Sequence, residues 1–141
     1  MKRVVLMMVA CCFFVAKGFG QEPSKEPVKE NPNAPEITFE KTVHDFGKVP
    51  FNGVAECEFT FTNTGKEPLI IQNCVSTCGC TTPTCPKDIP VKPGEKGVIK
   101  AKYNNTTVVS PFTKEFTVVS NAKNSPVRLT IKGEIEAAKV E

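Results

Sequence analysis

From Glu36 onward the chain alternates apolar and polar residues in short runs broken by Gly, Pro and Asn, and no stretch holds a helical period for three turns. That pattern predicts an all-β domain. Ile37, Phe39 and Val43 open it, and Phe46-Gly47-Lys48-Val49 leads to a turn at Asn52-Gly53. The plainest strand interleaves Cys57, Phe59 and Phe61 with Glu56, Glu58, Thr60 and Thr62, so one face enters a core and the other meets water. It stops at Asn63-Thr64-Gly65-Lys66. Leu69, Ile70 and Ile71 form the next strand, and a turn at Pro93-Gly94-Glu95-Lys96 precedes Ile99, Ala101 and Tyr103. Phe116 with Val118, then Val127, Leu129 and Ile131, supply the last two. About seven antiparallel strands in roughly 100 residues predict an immunoglobulin-like sandwich whose two inner faces share one core. The chain has no Trp to pack against an inter-sheet disulfide, as antibody domains do.

The first twenty residues follow a different pattern. Lys2 and Arg3 precede an apolar run from Val4 to Ala16, and Gly18-Phe19-Gly20 offers small residues before Gln21. A run of about 13 residues is short of the roughly 20 that span a bilayer, so residues 1–20 read as a cleaved secretory signal. A lipidated Cys11 after Met8-Val9-Ala10 is the competing reading, but the apolar stretch continues through Cys12, Phe13, Phe14 and Val15, which suits the middle of a signal. The expected location is periplasmic or secreted, with no stable membrane insertion after cleavage. Loss of Lys2, Arg3 and Lys17 reduces 18 basic residues to 15 against 15 acidic ones, so the formal charge of +3 belongs to the signal. With no basic cluster, no Trp and one Tyr, no surface for nucleic acid is visible.

Residues 21–35 carry Pro23, Pro27, Pro32 and Pro35 among Glu, Lys and Asn, with Val28 as the one large apolar side chain. Such a segment cannot bury a core and is expected to be a disordered, Pro-stiffened linker. The folded domain is expected over residues 36–136, followed by a tail at 137–141.

His44-Asp45-Phe46-Gly47, Asn63-Thr64-Gly65 with Pro68-Leu69, Cys78-Gly79-Cys80-Thr81, Pro93-Gly94-Glu95-Lys96 and Ser120-Asn121-Ala122 stand in one order along the chain. In that order they resemble the exported bacterial domain-of-unknown-function family 1573, over residues 36–134. The stretch from Phe46 to Ile71 is also similar to the wider Hydin-like and major-sperm-protein-like group of immunoglobulin folds. The resemblance implies the fold, export and, for the wider group, a role as an interaction module. It carries over no catalytic residue. Members of the family commonly show the Cys-Gly-Cys pair alone, so Cys57, Cys74 and Cys85 look like additions.

Candidate chemistry lies in the five cysteines beyond the signal. Cys57 shares a strand face with Phe59 and Phe61 and is expected to be an unpaired core residue. Cys74, Cys78, Cys80 and Cys85 could form two loop disulfides, for example Cys74 with Cys80 and Cys78 with Cys85, and the sequence does not choose among three connectivities. A direct Cys78–Cys80 bond would need a turn at Gly79 and would be strained, hence oxidising. Two thiolates could instead hold Cu(I), or all four could surround Zn(II) with His44 as a further nitrogen, although paired Cys-x-x-Cys knuckles are absent.

Other enzyme classes find no support in the sequence. A single His, no Gly-x-Ser-x-Gly elbow, no phosphate loop and no carboxylate pair leave no catalytic set, and Asp45 and Asp88 read as turn residues. The expectation is a non-enzymatic binding or structural module with a protein partner and no cofactor. The alternative is a Cys78/Cys80 thiol site that binds a soft metal or exchanges disulfides.

Overall fold

A computed structural model of the chain describes residues 31–138, so the expected signal and most of the expected linker lie outside the described residues. Nine strands follow in order: β1 (Ile37–Phe39), β2 (Val43–Pro50), β3 (Ala55–Asn63), β4 (Leu69–Ser76), β5 (Thr81–Thr84), β6 (Pro90–Val91), β7 (Lys96–Tyr103), β8 (Pro111–Ser120) and β9 (Val127–Glu136). They form one sheet ordered β1-β3-β7-β5 and another ordered β2-β9-β8-β4-β6. The architecture is the immunoglobulin-like sandwich, with two short strands beyond the seven expected. β5 and β6 escape sequence reading because Thr81-Thr82-Pro83-Thr84 and Pro90-Val91 contain almost no large apolar residues. Both are edge strands, where a proline without an N–H is tolerated.

One pairing departs from the antiparallel expectation: β2 runs parallel to β9. The register of that pair shifts between Asp45 and Lys48, where Gly47 adopts a left-handed φ of 62°. Asp45 Oδ1 accepts the Gly47 N–H at 2.8 Å and Asp45 pairs with Lys132 across the strands at 3.2 Å. The His44-Asp45-Phe46-Gly47 motif is thus a built bulge. His44 takes no part in the cysteine cluster. Its ring packs on Phe46 and Phe59, Lys41 Nζ donates to its Nδ1 at 2.8 Å, and burial followed by the Lys41 charge lowers its pKa against the opposing pull of Asp45.

The core lies between the sheets. Phe59 and Phe61 from β3, with Ile99 and Ala101 from β7, face Leu69, Ile71, Phe116, Val118, Leu129 and Ile131 from the other sheet, all buried. Phe59 and Phe116 meet edge to face, with ring centroids 5.7 Å apart, and Tyr103 stacks on Phe112 at 3.9 Å. Gly97 lies opposite Phe61 on β7, and a Cβ at that position would overlap the Phe61 ring. On the solvent face of β3 and β7, Glu58 pairs with Lys100 and Glu56 with Lys102, exposed contacts that contribute little stability.

The end of the expected linker lies on the domain. Pro35 is buried, its carbonyl accepts the Lys123 N–H at 2.9 Å, and the Lys66 N–H donates to Asn33 O at 3.3 Å. These bonds fix residues 33–35 to two turns that a composition-based boundary does not reveal.

Candidate functional site

β4 starts as a regular strand, with Leu69 and Ile71 buried and Ile70 between them. Uninterrupted alternation would turn Asn73 and Val75 inward and Cys74 outward. The register against β8 instead slips between Ile71 and Asn73, so that Cys74 stands opposite Val118 and Ser76 opposite Phe116, two inward residues. That slip reverses the facing of the strand and sends Cys74 toward the core. The chain then turns through residues 77–80 and enters β5 in the opposite sheet, which returns Cys85 to Cys74.

Cys74 and Cys85 form a disulfide, with Cα atoms 6.4 Å apart. This corrects the example pairing of Cys74 with Cys80 and Cys78 with Cys85. The crossing β5 separates Cys85 from the Cys78 turn and brings it beside β4. It also removes the four-thiolate zinc arrangement, since two of the four sulfurs are bonded to each other. Among the described residues no group of three or more His, Cys, Asp or Glu side chains could hold a metal ion.

Cys78 and Cys80 remain as thiols on the turn, both partly exposed. The turn is held by its backbone. Thr81 N donates to Cys78 O at 3.5 Å, Asn104 N donates to Cys80 O at 2.8 Å, and Ser76 Oγ donates to Cys78 O at 2.9 Å. A Cβ at Gly79 would meet open space, so the glycine leaves the backbone between the two sulfurs uncovered.

The two thiols share the turn and influence each other's ionisation. The Cys80 thiol holds the Cys78 pKa below its ordinary value against the opposing effect of burial, with lesser help from the Cys80 N–H and the Lys114 charge. The same contact raises Cys80. Lys114 is the residue that sequence reading missed. It stands on β8 between Phe112 and Phe116, at an inward-facing position, and makes no ion pair among the described residues. The alternation Phe112, Lys114, Phe116, Val118 carries the signal, a lysine where a core residue belongs. Thr81, 3% exposed, completes the surroundings. Its Oγ1 finds no partner at full hydrogen-bond distance and lends the Cys78 thiolate a weak favourable contact.

Cys57 behaves differently. It is buried on β3 and unpaired, and burial pushes its thiol up to about 11. A raised thiol pKa keeps the folded protein protonated. Its contribution to stability is present below the unfolded thiol's pKa and is lost as pH rises through about 11. Iodoacetamide at about pH 8 should therefore label Cys78 and Cys80 in the native protein and reach Cys57 only after unfolding, as peptide mapping would show.

Three connections meet around the dithiol. The β2–β3 turn is tied to the β7–β8 loop by Asn52 N donating to Thr106 O at 2.9 Å, and that loop is tied to the cysteine turn through Asn104. Asn104 Nδ2 also donates to Thr82 Oγ1 at 2.7 Å. This end of the sandwich exposes Phe51, Val54, Val108 and Val109, with Val54 at 78%. A separate groove of about 430 Å³ along β3, β7 and β5 is lined by Cys57 and Ala101 together with Glu56, Glu58, Lys100 and Lys102. Its charged residues are already paired.

Fold and topology define an all-β, immunoglobulin-like sandwich. The chain belongs to the family described as "Protein of unknown function (DUF1573)", which it matches over residues 37–135. No curated protein matches the sequence. Among solved structures, it is similar to a protein of unknown function from Porphyromonas gingivalis W83 at 14% identity and a TM-score of 0.66. That match covers 78% of this chain and 51% of the other, so the chain spans about half the length of that relative. It is also similar to PapD-like domain 7 of human CEP192, at 9% identity and a TM-score of 0.63, covering 81% of this chain and 94% of that one. The E. coli chaperone DraB matches at 11% identity and a TM-score of 0.51, covering 76% of this chain and 58% of that one. At these identities the likeness is one of fold.

Proposed function

We propose that the protein is an exported binding module that contacts a protein partner through the end of the sandwich carrying Phe51, Val54, Val108 and Val109. The observation that carries this reading is the apolar clustering itself. Four large apolar side chains stand in the open on two loops that are hydrogen-bonded to each other, whereas the outer face of β3 and β7 is covered by paired charges. Exposed apolar clusters with a polar surround favour protein contact. The PapD-like fold supports it, since such sandwiches, a chaperone among them, commonly bind other chains.

Export to the periplasm or beyond is supported by the short apolar N-terminal run and by the Cys74–Cys85 disulfide, which persists in an oxidising compartment. The test is photo-crosslinking in the native compartment, with a benzophenone amino acid at Val54 or Val108 and, as controls, at Thr60 or Arg128 on the two outer faces. An adduct of one discrete mass from the apolar end alone supports the reading. Equal labelling from all four positions, or none from the apolar end, overturns it.

A further inference from the structure

We propose that Cys78 and Cys80 form a thiol–disulfide exchange site that acts on protein disulfides presented at the apolar end of the sandwich, with Cys78 as the attacking sulfur and Cys80 as the resolving one. This goes beyond the binding reading by adding covalent chemistry at the same end.

Four features of the structure converge on it. The Cys74–Cys85 disulfide fixes both flanks of the turn and leaves the next two cysteines as neighbouring thiols rather than drawing them into a staple. Gly79 puts no side chain between the two partly exposed cysteines, and no atom lies near the place one would occupy. Lys114 stands without an ion pair among the described residues on an otherwise apolar strand face, and its charge favours the Cys78 thiolate. Thr81, next to Cys80, adds a buried hydroxyl without a hydrogen-bond partner among the described residues. An inert loop cysteine needs none of these. The exposed Phe51, Val54, Val108 and Val109 stand at the same end of the sandwich, a surface suited to extended or incompletely folded chains, in which misplaced disulfides are accessible.

The chemistry balances without a further reagent. The Cys78 thiolate attacks one sulfur of a partner disulfide, the partner S–S bond breaks, a Cys78 mixed disulfide forms, and the departing partner sulfur leaves as a thiolate that takes a proton from water. A different thiolate of the partner can then attack the mixed disulfide and regenerate Cys78. The partner's bridges have been rearranged with no net oxidation. Where no such thiolate arrives, Cys80 loses its proton to solvent and attacks Cys78 Sγ. The partner is released as a thiolate and a Cys78–Cys80 disulfide forms, the pair losing the two electrons that the partner disulfide gains.

The test uses the mature chain with Cys74–Cys85 intact and a fluorescent peptide whose quencher is attached through a disulfide. The wild type should release fluorophore at least about tenfold faster than Cys78→Ser at neutral pH. Cys80→Ser should accumulate a mixed disulfide on Cys78, read by intact mass and peptide mapping. Lys114→Met should slow the reaction several-fold near neutral pH, with the difference closing at alkaline pH, a dependence that a purely structural lysine would not give. If Cys78→Ser fails to fold, the wild-type labelling rate of Cys78 is compared with that of a free peptide spanning residues 76–82, and must exceed it. Equal peptide cleavage by wild type and Cys78→Ser, or labelling no faster than the free peptide, overturns the proposal. So does a wild type that retains Cu(I) through gel filtration yet cleaves the peptide no faster than the variant. The small peptide probe needs no apolar surface, so failure of crosslinking at Val54 and failure of exchange are separate results.

Discussion

Asn63→Ala should lower stability by about 3 to 5 kcal/mol, a large share of the total for a domain of this size. Asn63 is fully buried at the end of β3, and its side chain makes three hydrogen bonds. Nδ2 donates to Glu67 O at 2.8 Å and to Val91 O at 2.9 Å, and Oδ1 accepts the Gly65 N–H at 3.0 Å. Its backbone closes the arrangement, with N donating to Glu95 O and O accepting from Gly94 N. One amide thus holds the β3–β4 turn, the edge strand β6 and the turn into β7. Alanine would leave the Val91 carbonyl buried without its donor, in addition to removing three bonds. Thermal unfolding of the mature chain should show a fall of more than about 12 °C. A change below about 1 kcal/mol would mean that water or neighbouring groups satisfy those partners.

Removing the staple should have the second largest effect. The double replacement Cys74→Ala with Cys85→Ala opens a loop spanning a sequence separation of 11, and loop-closure entropy alone predicts a loss of about 3 kcal/mol. Thermal unfolding with and without reductant checks this directly. Reductant should lower the midpoint of the wild type by about 10 °C or more and leave the double variant unchanged, because its other described cysteines are already thiols. A wild type insensitive to reductant would show that the staple adds nothing. The loss should be concentrated around the 77–80 turn and β5. These have few buried apolar side chains of their own, so hydrogen exchange there should rise before the core opens.

Much of the fold was legible because its strongest signals are local. Cys57, Phe59 and Phe61 alternate without interruption, so the facing of β3 and the burial of Cys57 follow from parity alone. The turns at Asn63-Thr64-Gly65 and Pro93-Gly94 announce themselves by residue type, with Gly94 at a φ of 80°. The cysteine site was less legible because its geometry depends on a register slip. Nothing in Ile70-Ile71-Gln72-Asn73 marks the bulge, yet the bulge decides that Cys74 turns inward. The jump of β5 to the other sheet, which decides that Cys85 returns to Cys74, rests on hydrogen bonds between Thr81-Thr82-Pro83-Thr84 and β7 that leave no apolar pattern. Lys114 was present as a break in the β8 alternation, but its influence on Cys78 follows only from the folded arrangement. Local periodicity reports facing; it does not report which strand crosses to which sheet.

The parallel pairing of β2 with β9 gives the molecule a polarity. β1 lies against the far end of β3, with Ile37 opposite Asn63, whereas β2 and β9 both finish at the dithiol end, with Pro50 beside Glu136. Chain entering the domain at Asn31 therefore arrives at one pole, and chain leaving it after Glu136 departs from the other. An affinity tag or surface attachment placed upstream of Asn31 leaves the cysteine pole pointing outward and free. The same tag placed after Glu136 would crowd Phe51, Val54 and the turn at Gly79, and an assay built on such a fusion would measure the tag as much as the protein.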